Sequence, residues 1–171
     1  MSRKTTEIPK AKFAEGINKI KMNITSFLDS AEDVLKSNKA DHAAIFTEFA
    51  IEELGKMLML KDEYENSSSD TINVPKSIFR THKGKSDRAW QFLDQDFKMI
   101  SKGGFERSDD GNIGFERGFE QVTFASHHTR LECAFVDFES SNRWYVGRNI
   151  DPAKLKEQID HIREKALGVM I

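Results

Sequence analysis

The sequence predicts an all-α protein, a single domain over residues 1–171 folded as an up-and-down bundle of four to five helices. Apolar residues recur at intervals of three and four along several long stretches, which is the spacing of an amphipathic helix. Glycine and proline are scarce, at 10 and 3 of 171 residues, which disfavours a turn-rich all-β fold. Strands do not alternate with helices, so a parallel sheet is not expected.

The first two helices carry the strongest pattern. Helical spacing runs from Phe13 onwards, and Pro9 is expected in the first turn, where its missing N–H costs nothing. We predict a first helix over about 9–37 and, after a short break, a second over about 41–65 with Asp41 as its N-cap. The second is apolar on almost every side in its middle, which is typical of the central helix of a bundle.

A third helix is expected after Pro75, with Phe79 and His82 on the apolar stripe that continues to about residue 100. Residues 103–117 form a Gly-rich loop that contains Gly-Phe-Glu-Arg twice. Two copies ten residues apart are too short for a solenoid repeat, so we interpret this loop as a short hairpin or an ordered surface loop.

The remaining chain predicts a fourth helix over about 118–137 and a short extended segment at 144–146. A last helix is expected to run to about residue 167. Asp151 is its predicted N-cap and Pro152 occupies its first position.

Composition restricts the function classes. The net charge is −2, so any nucleic-acid contact must come from a local basic patch. No apolar run approaches the ~20 residues of a membrane span, and the polar start lacks the apolar core of a secretory signal. The one cysteine, Cys133, cannot form an internal disulfide, which agrees with a reducing compartment. We expect a cytoplasmic protein with no membrane contact.

The first candidate site is the charged group Glu52, Glu53 and Lys56 in the apolar second helix. Both glutamates are spaced to pair with Lys56, which on a surface would contribute about 0.3–0.5 kcal/mol. In a helix this apolar, the charges are also expected inside the bundle or at an interface, where ionised groups are often retained for function. Both interpretations stay open. Gly55, costing about 1 kcal/mol against alanine in mid-helix, predicts the close approach of another helix.

The second candidate site is His82 within the densest basic cluster of the chain, formed by Arg80, Lys83, Lys85 and Arg88. Such a cluster can bind phosphate, and the histidine can act as general acid or base on a ribose 2′-hydroxyl. A hydrogen-bonded core histidine beside a solvated basic helix face is the structural alternative.

A third group combines His127, Arg130, Ala134 and Asp137 on one face of the predicted fourth helix. Arg130 could clamp a phosphate, and an Arg130–Asp137 bridge with a purely structural role fits equally well. The chain has no GxGxxG motif, no P-loop and no zinc-binding Cys/His spacing, so neither a cofactor nor a metal is expected.

Three blocks of the chain resemble, in order, those of the AbiV family of bacterial abortive-infection proteins. They are an Ala-rich helix ending in Glu-Glu-Leu-Gly-Lys at 42–56, a His followed closely by Lys at 79–85, and an Arg leading into Phe-Val-Asp at 130–137. Trp144 and Pro152 follow the third block, and the resemblance covers about residues 10 to 168. It implies a HEPN-type helical bundle, commonly dimeric, in a protein that arrests phage growth.

Many HEPN proteins are metal-independent ribonucleases with an Arg-x(4–6)-His motif. This chain departs from that pattern, since only the reversed order, His82 to Arg88, occurs. The residues therefore leave open whether it is an enzyme. Positions that match the family blocks are Glu53, Lys56, His82, Lys83, Arg130 and Asp137.

Two main hypotheses follow. The first is a ribonuclease-type effector acting on RNA or translation. In it Glu53, Lys56, His82 and Arg130 are catalytic, Lys83, Lys85 and Arg88 bind RNA, and Glu52 and Asp137 are structural or orienting. The second is a non-catalytic helical protein that blocks phage growth by binding a phage or translation partner, through a Phe-bearing surface around 104–119. A homodimer is expected in both. A small-molecule site in the bundle core is a third possibility that no motif favours.

Overall fold

The computed structural model describes the backbone of residues 5–100 and 150–170 and of four short strands between them, and the side chains of 5–93 and 150–170. The described chain is mostly helical, so the predicted all-α class is confirmed. Its helices are α1 (Phe13–Lys36), α2 (Ala40–Glu65), α3 (Ser77–Arg80), α4 (His82–Ile100) and α5 (Pro152–Gly168).

Helix α2 is the centre of the bundle, as its apolar sequence predicts. It packs against α1, α4 and α5. Of its 26 residues, 12 are buried, whereas α1 buries only 5 of 24, along a single stripe. The side chains of Ile51, Leu54 and Met57 are completely buried. The polar residues in the middle of α2 are therefore surrounded by protein on most sides.

The turn from α1 into α2 is shorter than predicted. Asn38 adopts the left-handed conformation (φ 57°), which asparagine tolerates better than most residues, and it closes α1 with backbone bonds to the preceding turn. Helix α2 then begins at Ala40, with Lys39 as its N-cap. Asp41 is therefore not the N-cap. It lies in the first turn, where its carboxylate is 2.9 Å from Nδ1 of His42.

A two-stranded antiparallel sheet was not predicted. Strand β1 (Thr5–Pro9) pairs with β2 (Thr71–Pro75), and Ile8 lies opposite Ile72. Ile72 and Val74 are buried, so β2 contributes one face to the core. The strands are short, and pairing joins segments more than 60 residues apart in sequence, which local periodicity does not reveal.

Pro9 is correspondingly not in a first helical turn. It ends β1 and precedes a single 3-10 turn, Lys10–Lys12, and α1 begins at Phe13. The last helix is as predicted: the Asp151 carboxylate accepts hydrogen bonds from the backbone N–H groups of Ala153 and Lys154, at 2.9 and 3.4 Å.

The predicted third helix is broken at Thr81, which has an extended conformation (φ −95°, ψ 127°) between α3 and α4. The Thr81 hydroxyl donates to the carbonyl of Ser77 at 2.9 Å and closes α3. The break changes which residues face the core. Ile78 is buried, while Phe79, expected on the apolar stripe, is 43% exposed.

The Gly-rich region contains the predicted hairpin, in which β3 (Glu106–Arg107) pairs antiparallel with β4 (Ile113–Gly114). A second antiparallel pair joins β5 (Val136–Glu139) to β6 (Arg143–Val146), which confirms the extended segment at 144–146. Most of the predicted fourth helix lies outside the described residues, and its last two positions, 136 and 137, are in β5 rather than in a helix. Apart from β3 and β4, the predicted Phe-bearing surface at 104–119 also lies outside the described residues.

None of the helices that the structure describes is long and apolar enough to cross a membrane.

Helices α2 and α4 approach each other closely at Gly55, as the mid-helix glycine predicts. A Cβ atom at this position would lie 1.8 Å from the backbone carbonyl oxygen of Lys85. Any side chain at position 55 must therefore push the backbone of α4 away.

We expect Gly55→Ala to lower the free energy of unfolding by about 3 kcal/mol, because the added methyl collides with backbone that has no rotamer to escape into. Urea denaturation followed by circular dichroism measures it. Gly16→Ala is the matched control: Gly16 lies in α1 with nothing within 4 Å of the added Cβ, so it should be neutral or stabilise by up to about 1 kcal/mol. Equal stability of the two variants would contradict the close crossing.

Candidate functional site

Polar side chains of α2 and of the start of α4 meet beside the Gly55 crossing. We call this group the α2–α4 cluster; its members among the residues with described side chains are Glu48, Glu52, His82, Lys85 and Ser86. Glu48 and Glu52 are one helical turn apart on α2 and therefore share a face. The α4 members lie within its first two turns. Because the glycine removes the side chain between the helices, these groups come within hydrogen-bonding or ion-pairing distance.

His82 is bound to Glu52. Nδ1 of the ring lies 2.7 Å from Oε2 of the carboxylate, whose side chain is 8% exposed, while the His82 side chain is 52% exposed. A carboxylate only accepts hydrogen bonds, so Nδ1 carries the proton and the neutral ring has its lone pair on Nε2. The arrangement is a buried carboxylate that orients a solvent-accessible imidazole, as in general acid–base sites.

Lys85 is a buried member of the cluster. Its Nζ is 3.8 Å from the same Glu52 oxygen, and its side chain is 6% exposed. Beside it, the hydroxyl of Ser86 donates to Oε1 of Glu48 at 3.3 Å. The sequence predicts Lys85 as an RNA-binding residue, whereas the structure places its side chain in the interior. The side chain points into the bundle because Lys85 lies at the helix crossing, so it serves Glu52 and not a phosphate in solvent.

Glu53 and Lys56 form the i,i+3 ion pair that their spacing allows, and both side chains are mostly buried. The alternative pair of Lys56 with Glu52 is not formed. Glu53 is rotated by about 100° around α2 from Glu52, and it lines a shallow cavity of about 420 Å³ along α1, with Met22 and Asn23 among the other residues. Of the two predicted glutamates, it is therefore Glu52, expected to have an orienting role, that contacts His82.

The basic residues around His82 have different environments. Arg88 makes a bidentate pair with Asp62, at 2.9 and 3.1 Å, so the expected RNA contact is already occupied by a carboxylate. Arg80 and Lys83 are exposed and form no ion pair with any residue whose side chain is described. They remain the cations available to an external phosphate.

The third predicted group is not assembled within the described residues. Arg130 lies outside them, as do His127 and Ala134. Asp137 is placed in β5, opposite Tyr145 of β6. Within the ranges whose side chains are described, no three His, Cys, Asp or Glu residues are grouped so as to hold a metal ion. Among the residues whose side chains are described, the contacts join part of the first predicted group, Glu52, to part of the second, His82 and Lys85, in the α2–α4 cluster.

Comparison with known proteins identifies one family. A family model of the HEPN group, described as AbiV, matches residues 12–166. Neither the curated proteins nor the solved structures gave a significant match. The matched span includes α1, α2 and α4, and hence the whole of the α2–α4 cluster.

We expect Lys85→Met to lower the free energy of unfolding by about 3 kcal/mol, because it removes a buried ammonium 3.8 Å from the buried Glu52 carboxylate. Arg88→Met is the matched control. Its ion pair with Asp62 is 30% and 45% exposed, so solvent screening should limit the loss to about 1 kcal/mol or less. Thermal unfolding at several salt concentrations measures both. A smaller loss for Lys85→Met than for Arg88→Met would show that Lys85 is not buried against Glu52.

Proposed function

Because the chain belongs to the AbiV family of HEPN proteins, which act in bacterial abortive infection, we propose that it is an anti-phage defence effector that cleaves RNA without a metal ion. The observation that carries the ribonuclease proposal is the half-exposed His82 ring whose Nδ1 is fixed by the buried Glu52 carboxylate. Anti-phage defence is the role of the family, and the RNA substrate and its cleavage are our inference.

In the proposed reaction Nε2 of His82 accepts the proton of a ribose 2′-hydroxyl. The 2′ oxygen attacks the adjacent phosphorus, the bond from phosphorus to the 5′ oxygen breaks, and that oxygen takes a proton from water or from the protonated ring. The products are a 2′,3′-cyclic phosphate and a 5′-hydroxyl end. Glu52 keeps the ring in the required tautomer and stabilises the imidazolium that forms.

Other predicted residues have assigned parts in this proposal. Lys56 lies one turn from Glu52 on α2, and with Arg130 it would stabilise the negative charge that develops on the phosphate. Glu53 would hold Lys56 in place through their ion pair. Lys83 and Arg80 would bind the phosphates of the RNA strand, since both are exposed beside His82. Lys85 and Arg88 are removed from the RNA-binding set, because the Lys85 side chain is buried at the helix crossing and the Arg88 guanidinium is held by both oxygens of Asp62.

We also propose that the protein acts in the cytoplasm as a homodimer. The support is the family, whose HEPN bundles are commonly dimeric. Sedimentation of the purified protein over a range of concentrations would test the dimer separately from the chemistry.

We expect His82→Ala to lower RNA cleavage by at least ~100-fold, because it removes the proton acceptor of the attacking hydroxyl. Purified protein is incubated with total RNA and tRNA in EDTA, and RNA ends are also mapped in phage-infected cells that express each variant. The matched control is His42→Ala. His42 also pairs with a carboxylate, Asp41, at 2.9 Å and is 59% exposed, but it lies about 15 Å from Glu52 along α2. The His42→Ala variant should therefore cleave RNA at the rate of the wild type.

Glu52→Gln tests whether the Glu52 carboxylate supports catalysis by His82 rather than RNA binding. It should lower the cleavage rate while leaving RNA affinity unchanged, because the amide no longer stabilises the imidazolium. Unchanged cleavage by His82→Ala would overturn the site assignment. Intact RNA with the wild type, both purified and in infected cells, would instead favour a non-catalytic protein that binds a phage or translation partner.

A further inference from the structure

An exposed aromatic side chain lies three residues before the proposed catalytic histidine in the sequence. Phe79 is 43% exposed, and among the described residues the other exposed large apolar side chains are aliphatic: Met22, Leu167 and Met170. Its three-residue separation from His82 limits the Cα–Cα distance to about 10 Å. The ribonuclease mechanism proposed above gives Phe79 no part.

Phe79 is presented on a fixed element. The Ile78 side chain is 2% exposed and anchors α3 in the core. The end of α3 is closed by Thr81, whose backbone N–H and hydroxyl both donate to the carbonyl of Ser77 at 2.9 Å. A rigid platform binds a flat partner with less loss of conformational entropy than a mobile side chain would.

The surroundings of Phe79 are cationic. Residues 76–86 contain four basic residues and no Asp or Glu. Two of the basic residues, Arg80 and Lys83, are exposed and make no ion pair within the part of the chain whose side chains are described. The surface beside the aromatic ring therefore favours an anionic partner over an uncharged apolar partner.

Aromatic rings interleaved with basic side chains bind single-stranded nucleic acid, because unstacked bases can lie on the ring while the cations contact the backbone. A duplex offers no free base face. We propose that Phe79 stacks on the base of a nucleotide beside the scissile phosphate, and that the substrate is a single-stranded segment of RNA. Arg80 and Lys83 bind the flanking phosphates. This inference rests on the proposed action on RNA and adds the substrate class and a specificity residue.

The test measures binding in a His82→Ala background, in which the RNA stays intact. Fluorescence anisotropy is recorded with a labelled single-stranded oligoribonucleotide and with a blunt duplex of the same sequence. Phe79→Ala should weaken binding of the single strand by roughly 5- to 100-fold and leave the weak duplex binding unchanged. Phe79→Leu should lose nearly as much, while Phe79→Trp should restore affinity. Met22→Ala, which removes an exposed side chain on α1, is the control and should bind like the parent.

Equal affinity of the parent and Phe79→Ala for the single strand would overturn the inference and leave the proposed ribonuclease intact. Duplex binding as tight as that of the single strand would also overturn it. If the parent binds no RNA even at low salt, the proposed function itself fails and the inference fails with it. Circular dichroism of each variant confirms that the fold is retained.

Discussion

The site depends on the close crossing of α2 and α4 at Gly55. The carbonyl of Lys85 occupies the space that a Cβ atom at position 55 would need. At this separation the Lys85 side chain is enclosed by the bundle, and its ammonium faces the buried carboxylate of Glu52. The same carboxylate then reaches the ring of His82 at the beginning of α4. One missing side chain thus fixes both the buried ion pair and the oriented histidine.

The Glu52 carboxylate contacts both a buried lysine and a half-exposed histidine. A buried carboxylate needs a partner that stays in place, and Lys85 supplies one because it is itself buried. His82 contacts the same carboxylate from the surface of the bundle, with half of its side chain exposed to solvent. The buried lysine and the half-exposed histidine thus contact the same carboxylate from the interior and from the surface of the bundle. Phe79 and Lys83, also exposed, flank the histidine in sequence, and in the proposed function they contact the bases and phosphates of a single RNA strand.

Much of this fold follows from the sequence, because helical periodicity defines α1, α2 and α5, and the mid-helix glycine indicates a close contact. The strand pairing of β1 with β2 could not be predicted, since it depends on two short segments distant in sequence. The break at Thr81 was hidden because the apolar spacing continues across it. The sequence interpretation assigned Glu53 to the catalytic group and Glu52 to an orienting role, but it could not show which of the two contacts His82. Where a helix is apolar on nearly all sides, periodicity does not show which of two adjacent charges faces a given neighbour.

The most direct test of the Glu52–His82 interaction is the tautomeric state of the ring, measured by long-range ¹H–¹⁵N correlation NMR on ¹⁵N-histidine-labelled protein above the histidine titration range. The wild type is expected to carry its proton on Nδ1 of His82, donated to Glu52. In Glu52→Ala, which removes the acceptor altogether, the His82 ring should shift toward the Nε2–H form that predominates in solution, while the signals of His42 stay unchanged. An Nε2-protonated His82 in the wild type, or a ring insensitive to the Glu52 substitution, would contradict an imidazole oriented by that carboxylate.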